Sequence, residues 1–285
     1  MSWSFVVLPD TQIYARDRPH LFEAQTDFVL RERDRLGIQA VLHAGDVTDD
    51  NSDAQWEVAA RALRKLDGQV PYVVALGNHD FGPGGSGGSR ETGMTKWLPG
   101  RELNQCQRVE TPDGPWVVLA LEFAPRDETV AWARALLAEH RDAQAALVTH
   151  TYLYSDGTRY SQEGIRDQRW SPWFYGVAHD PAGMHDGESL WRELVEPCGN
   201  VRFVFCGHVL NEGVARRTDV RRDGSVCHQI LANYQHTREG GASFLRVVTI
   251  ENGGVRAAVS TYAPYLDEHK TDPENAFELS LTSRR

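Results

Sequence analysis

Val73-Val74-Ala75-Leu76-Gly77-Asn78-His79-Asp80 is an apolar run that stops at a glycine and three side chains able to bind metal or move protons. Residues 73–76 offer nothing polar to a solvent face, so they fit a strand covered on both sides, as in a parallel or mixed sheet between further layers. Gly77 lets the backbone turn sharply and approach a ligand. It delivers Asn78, His79 and Asp80 at the carboxyl edge of the sheet, where open α/β sheets place their chemistry. An Asn-His-Asp turn without a task has the same local sequence, so the reading depends on how the other strands end.

Four more apolar runs end in the same way. Phe5-Val6-Val7-Leu8-Pro9 leads into Asp10-Thr11-Gln12, and Ala40-Val41-Leu42-His43-Ala44 into Gly45-Asp46-Val47-Thr48-Asp49. Ala145-Ala146-Leu147-Val148-Thr149 ends in His150, and Val201-Arg202-Phe203-Val204-Phe205-Cys206 ends in Gly207-His208. A lone Asp or His after a strand is commonly a turn residue or a cap. Five such ends in one chain supply carboxylates, imidazoles and an amide, the mixture that suits borderline transition metals.

In this order the residues resemble the calcineurin-like metallophosphoesterase superfamily, whose blocks run Asp-x-His, Gly-Asp-x-x-Asp, Gly-Asn-His-Asp, a lone His, and Gly-His-x-His. Gly45-Asp46-Val47-Thr48-Asp49 and Gly77-Asn78-His79-Asp80 match in full, and His150 stands between the latter and Gly207-His208. Two blocks depart: Gln12 replaces the His of the first, and Leu210 replaces the second His of the last. The resemblance implies a two-sheet β-sandwich flanked by helices, a four-layer α/β/β/α fold with the site at the strand ends. It implies a centre of two divalent transition ions (Mn, Fe, Zn, Co or Ni). Asp46 would bridge both, Asn78, His150 and His208 would complete one site, and Asp10 with Gln12 would hold the other. Two such cations hold phosphate oxygens and make a hydroxide nucleophile available near neutral pH. The implied activity is therefore hydrolysis of phosphodiester or phosphomonoester bonds. His79 would pass a proton to the leaving-group oxygen, with Asp80 fixing its tautomer. Both departures fall on the Asp10 ion, which is expected to be held more weakly. Asp49 is one candidate replacement ligand, because related purple acid phosphatases place a Tyr at that spacing; Asn211, His185 and water are others.

Composition is that of an ordinary globular chain, 41% hydrophobic and 25% charged, and its 285 residues predict one domain, with residues 264–285 as a polar tail. A formal net charge of −10 disfavours sequence-independent nucleic-acid binding and suits a small-molecule or protein-borne phosphoester. No apolar run reaches membrane-spanning length. Met1-Ser2-Trp3-Ser4 has no signal-peptide pattern, and Cys106, Cys198, Cys206 and Cys227 are scattered as reduced thiols would be, so a cytoplasmic protein is expected.

Helices are predicted over residues 19–36, closed by Gly37, over 53–66 and over 128–139, and residues 107–110 and 116–123 read as a hairpin. Phe81-Gly82-Pro83-Gly84-Gly85-Ser86-Gly87-Gly88 lacks the Gly-Lys-Ser/Thr end of a nucleotide loop and reads either as a flexible rim or lid beside the site or as a solvated surface linker. Residues 151–186 carry Tyr152, Tyr154, Tyr160, Trp170, Trp173, Phe174 and Tyr175 without periodicity, forming either a wall of the substrate pocket or a cluster over a sheet edge. Tyr152, Tyr154 and His185 are the substrate-binding candidates there, and an aromatic wall slightly favours diester or nucleotide-like substrates. Strands after residue 213 are expected to form a second, mostly antiparallel sheet. Two other classes remain open: a metal-binding module whose catalysis was lost with Gln12 and Leu210, and a hydrolase of non-phosphate esters using the same centre. His79 and Asp80 speak against the first, since pure binding does not require them.

Overall fold

The computed structural model describes residues 2–210, 213–251 and 253–282. Strands β1 (Trp3–Leu8), β2 (Ile38–His43) and β3 (Tyr72–Val74) are parallel neighbours. Helices α1 (Gln12–Asp17) and α2 (Pro19–Leu36) cross over before β2, and α3 (Asp53–Leu63) before β3. After the short α4 (Met94–Trp97), β4 (Gln105–Thr111) and β5 (Gly114–Ala120) form the expected hairpin. α5 (Asp127–Glu139) then leads to β6 (Gln144–Val148), and α6 (Gly187–Leu190), continued by a π-helical turn over Trp191–Val195, leads to β7 (Val201–Cys206). β8 (Val214–Val220), β9 (Val226–Ala232), β10 (Leu245–Glu251), β11 (Arg256–Ala263), β12 (Glu268–Lys270) and β13 (Phe277–Ser280) follow.

Among the described residues the strands make two mixed sheets, ordered β12-β11-β10-β1-β2-β3, with β13 beside β11, and β4-β5-β6-β7-β9-β8. Alternation along β1 shows why its sequence is apolar throughout. Trp3, Phe5 and Val7 face the core between the sheets, while Val6 and Leu8 face the helices. Trp3 and Phe5 of β1 meet edge to face at 4.9 Å, and both meet Trp116 across the sheets at 5.5 and 5.3 Å, each pair worth ~0.5–1.5 kcal/mol beyond its burial. Phe22, Phe28 and Trp56 of α2 and α3 cover one outer face; Val130 and Leu137 of α5, with Leu190 and Leu194, cover the other. This is the four-layer α/β/β/α arrangement expected from the sequence.

The strands after residue 213 do not form a sheet of their own. β9 is buried along its whole length and takes an interior place parallel to β7, while β8, alternately exposed, takes the edge. β10 returns to the first sheet, antiparallel to β1. The expected polar tail contributes β12 and β13, both paired with β11. The topology thus brings the carboxyl ends of β1, β2 and β3 in one sheet opposite those of β6, β7 and β9 in the other.

Candidate metal centre

Asp46, His150 and His208 each place one ligand atom so that all three lie within 4.8 Å of one another, and all are buried. His150 Nε2 is 3.2 Å from Asp46 Oδ2 and 3.1 Å from His208 Nδ1. The remaining ring nitrogens are committed to backbone carbonyls: His150 Nδ1 donates to Ala44 O at 2.8 Å, and His208 Nε2 donates to Trp170 O at 2.7 Å. The facing nitrogens therefore turn lone pairs toward each other and toward a carboxylate, an arrangement that needs a cation or a proton at its centre. Burial alone would strip His150 of its proton, but the Asp46 carboxylate beside it raises its pKa to about 9. Burial, followed by the charge on His150, pushes His208 down to about 3. Asp46, which burial would raise, is held below the usual carboxylate range by His150 and then His79.

Close backbone approach explains two motif glycines. A Cβ on Gly77 would fall on Asp46 Oδ1, and one on Gly207 would fall on Asp10 Oδ1. Asp46 and His208 themselves take φ of 47° and 75°, costs of order 1–3 kcal/mol each that cluster at sites the surrounding structure must hold.

Asp10 is joined to this trio through the backbone of His208. Its carboxylate accepts from His208 N at 3.2 Å, Asn233 Nδ2 at 2.8 Å and Gln235 Nε2 at 3.3 Å. Burial raises its pKa to about 8, the charge of His150 opposing and that of Asp46 adding. Gln12 donates through Nε2 to Asp49 Oδ1 at 3.0 Å, and its Oε1 is buried without a partner. Asn78 Oδ1 is buried without a partner as well. Two orphaned amide oxygens, both from residues lining the cavity that Asp46 and His208 line, are acceptors that a divalent cation would satisfy, and the donor set of oxygen and imidazole fits such an ion.

His79 N donates to Asp46 Oδ1 at 3.0 Å, and its ring Nδ1 donates to Asp49 O at 2.6 Å, which leaves Nε2 as the free ring nitrogen. Burial lowers the His79 pKa, but the Asp46 charge and the bond to the Asp49 carbonyl raise it above the ordinary value. The expected pairing of Asp80 with His79 does not occur. Asp80 instead accepts from Gly77 N, Val47 N, Thr48 N and Thr48 Oγ1 at 2.8–3.0 Å, tying the Asp46 loop to the Asn78 turn. Successive side chains in a 3₁₀ turn point about 120° apart, so neighbours in sequence do not face each other. Asp49 is likewise engaged: Gln12 holds one carboxylate oxygen, and Arg16 Nη1 holds the other at 2.8 Å.

The cavity over Asp46 and His208 has a volume of about 140 Å³ and is lined by Gln12, Asp46, Asn78, His79, Trp170, Tyr175, His208, Leu210, Gln235 and His236. The aromatic segment does contribute a wall, but through Trp170 and Tyr175. Tyr152 is fully buried in the core under the second sheet, and Tyr154 packs beside Tyr160 against the same core. His185 bonds through Nε2 to Asp127 at the start of α5 and does not line the cavity. Asn211 lies outside the described residues. The glycine-rich stretch is an ordered rim: Gly87 N bonds Phe81 O, and Gly87 O accepts from Val177 N at 3.0 Å.

Sequence reasoning missed Asn233, Gln235 and His236, although Ile230-Leu231-Ala232-Asn233 carries the same signature of an apolar run ending in a polar group. It also missed His43, whose Nδ1 accepts from Gly45 N at 3.1 Å while Nε2 donates to Thr11 Oγ1 at 2.9 Å, bracing the first two blocks. Burial, then the charge of His150, lowers its pKa to about 3, so it stays neutral.

Residues 4–212 match the family described as Calcineurin-like phosphoesterase. The uncharacterized protein YvnB of Bacillus subtilis (strain 168) is 31% identical over 304 residues, which take in 98% of this chain and 22% of YvnB. A protein of Arabidopsis thaliana named probable inactive purple acid phosphatase 27 is 26% identical over 199 residues, 63% of this chain and 30% of that protein. The chain thus spans less than a third of the length of these curated relatives. Among solved structures, purple acid phosphatase PPD1 from yellow lupin (Lupinus luteus) seeds shares the fold with a TM-score of 0.58 at 12% identity, covering 98% of this chain and 54% of PPD1. Among the described residues no helix is long and apolar enough to cross a membrane.

Proposed function

Since the chain belongs to the calcineurin-like phosphoesterase family, a metal-dependent family, we propose that it hydrolyses phosphoesters with the residues gathered around this cavity. The observation that carries the reading is the set of metal-compatible donor atoms in one place: the facing nitrogens of His150 and His208, the Asp46 carboxylate, and the orphaned oxygens of Asn78 and Gln12. Asp46, Asn78, His150 and His208 would hold one divalent ion. Asp10, Gln12 and the shared Asp46 would hold a second, more weakly, because Asp10 already accepts three N–H groups and Leu210 offers no ligand. Such ions supply Lewis-acid polarisation of phosphoryl oxygens and a water of lowered pKa.

The chain's own residues do the rest. His79, with Nδ1 committed to the Asp49 carbonyl, leaves Nε2 as the atom from which a proton would pass to the departing oxygen. Asp80 fixes the two loops that carry Asp46 and His79, a positioning role rather than a proton-transfer one. A cavity of about 140 Å³ is well below the ~300–1,000 Å³ that enclose drug-sized ligands, so it has room for the phosphoryl group while the leaving group stays outside. That geometry admits small-molecule and protein-borne phosphoesters alike.

A panel of phosphomonoesters, phosphodiesters and carboxylic esters with Mn²⁺, Co²⁺, Ni²⁺, Zn²⁺ or Fe²⁺ tests the proposal, with metal-dependent release of phosphate or alcohol from a phosphoester as the expected result. Turnover of carboxylic esters alone would move the activity to another hydrolase class. A binding module without catalysis is the second reading, favoured by Leu210 at the cavity wall; tight metal uptake with no turnover across the panel would decide for it.

A further inference from the structure

We propose that Tyr175 is the hydrogen-bond donor to a phosphoryl oxygen of the substrate, set in place by the contact between the aromatic segment and the glycine-rich rim; this rests on the phosphoesterase reading above. Among the described residues no arginine or lysine lines the cavity, so whatever phosphoryl charge the ions leave unmatched falls to neutral donors. Several side-chain donors around it are already spent, which leaves Tyr175 beside Asn78, Trp170 and His236. Gln12 Nε2 is held by Asp49, Gln235 Nε2 by Asp10 and His208 Nε2 by Trp170 O, and His79 is aimed at the leaving group. The phenol of Tyr175 is not spent. The hydroxyls of Tyr14, Tyr160 and Tyr234 bond to Ser243 N, Arg169 O and Asn275 Oδ1, whereas that of Tyr175 has no bond to any described residue and lines the cavity.

The ring is fixed from three sides. It stands edge to face on Phe123 at 5.2 Å and on His208 at 6.1 Å, and a Cβ on Gly87 would come within 2.8 Å of its Cδ1. The next residue, Gly176, approaches the rim so closely that a Cβ there would come within 2.7 Å of Gly88 Cα and O, and Val177 N closes the contact with its bond to Gly87 O. Two stretches whose sequences show no periodicity thus form one clamp, and the side chain it immobilises over the centre is this phenol. A phenol carries its proton at neutral pH and is hence a donor.

The test compares Tyr175→Phe with the wild-type protein, both loaded with Mn²⁺, by calorimetric titration with inorganic phosphate, metal analysis and turnover of an aryl phosphate. Phosphate binding to the variant should weaken on the order of 10- to 100-fold, as loss of a hydrogen bond to a charged group does, at unchanged metal content. Turnover should fall in parallel. Phe174→Ala, which removes the exposed neighbouring ring, should behave as wild type. Unchanged phosphate affinity in Tyr175→Phe overturns the donor role and leaves the phosphoesterase reading standing. Lost metal content, or a visible charge-transfer band on loading wild type with Fe³⁺ that the variant lacks, makes Tyr175 a ligand and overturns it as well. A wild-type protein that takes up Mn²⁺ but binds no phosphate and cleaves no phosphoester removes both.

Discussion

Loading the metal-free protein should release protons in a number that reports which side chains take the ion. His150 has Nδ1 tied to the Ala44 carbonyl, so an ion must take Nε2, the atom that carries the proton shared with Asp46. With a pKa of about 9, that proton is almost fully present between pH 6 and pH 8. One proton displaced per ion then makes the apparent association constant rise about tenfold per pH unit, about 100-fold from pH 6 to 8, or ~2.7 kcal/mol at ~1.36 kcal/mol per unit. If an ion also takes Asp10, whose pKa of about 8 leaves it mostly protonated below pH 7, a second proton leaves and the slope steepens toward two. The same values set the stability of the metal-free protein. His150 is raised above its usual 6.5, so its contribution is complete below about pH 6.5 and lost as pH rises through about 9. Asp10, raised from 3.8, contributes stability that is complete below about pH 3.8 and is lost progressively as pH rises to about 8. The Tm of the metal-free protein should therefore fall from pH 6 to 9, and the gap to the metal-loaded protein should widen. Calorimetric titration with Mn²⁺ in buffers of different ionisation enthalpy counts the protons. An association constant flat across pH 6–8 with no proton release would remove His150 from the ligand set.

His79→Ala should retain metal yet lose at least roughly tenfold in turnover on poor leaving groups and less on activated aryl phosphates, since general acid catalysis contributes ~10²–10⁴-fold where the departing oxygen needs a proton; equal losses across leaving groups would refute the role. Asp46→Asn should cost both metal occupancy and activity, and full metal content with full rate would take Asp46 out of the centre. Two equivalents of metal should bind with unequal affinity, activity tracking free metal in the assay; indistinguishable tight sites would show that the substitutions at 12 and 210 are compensated. Asn233→Ala leaves the Asp10 carboxylate short of its 2.8 Å donor and should lower stability by about 1–3 kcal/mol in thermal melts, while an unchanged Tm would mean that water replaces the amide.

Strand ends that carry a charge or an imidazole after a glycine were legible in the sequence, and with them the two sheets and most of the candidate site. Hydrogen-bonding assignments were not. Asp80 follows His79 directly, which suggested a pair, but the turn geometry sends it back to Val47 and Thr48 in the preceding block. Asn233 and Gln235 meet Asp10 across more than two hundred residues of chain, and amides carry no charge to mark them out. Nor did the interior position of β9 follow from its sequence, since a buried strand of seven residues reads alike whether its neighbour is parallel or antiparallel. In the aromatic segment composition pointed to a pocket wall, but only the backbone decides that Trp170 and Tyr175 face the cavity while Tyr152 faces the core.

The departure at residue 12 is tied to the catalytic side of the site. A histidine there can offer an ion one nitrogen and donate through the other. Glutamine offers Oε1 and donates through Nε2, and it spends that donor on Asp49. Asp49, in turn, takes Arg16 on its second oxygen, and its carbonyl takes the ring of His79. Gln12, Asp49 and His79 are thus consecutive links of one chain, running from an orphaned oxygen at the candidate ion position to the candidate acid. Gln12→Ala would remove an oxygen ligand and also free Asp49 from one of its two anchors, so it should alter the pH profile of turnover through His79 as well as metal affinity. Gln12→Glu keeps an oxygen for the ion but sets a second carboxylate against Asp49, and should tighten metal binding while disturbing the same profile. If both variants changed only metal affinity and left the pH profile in place, the link through Asp49 would carry no functional coupling.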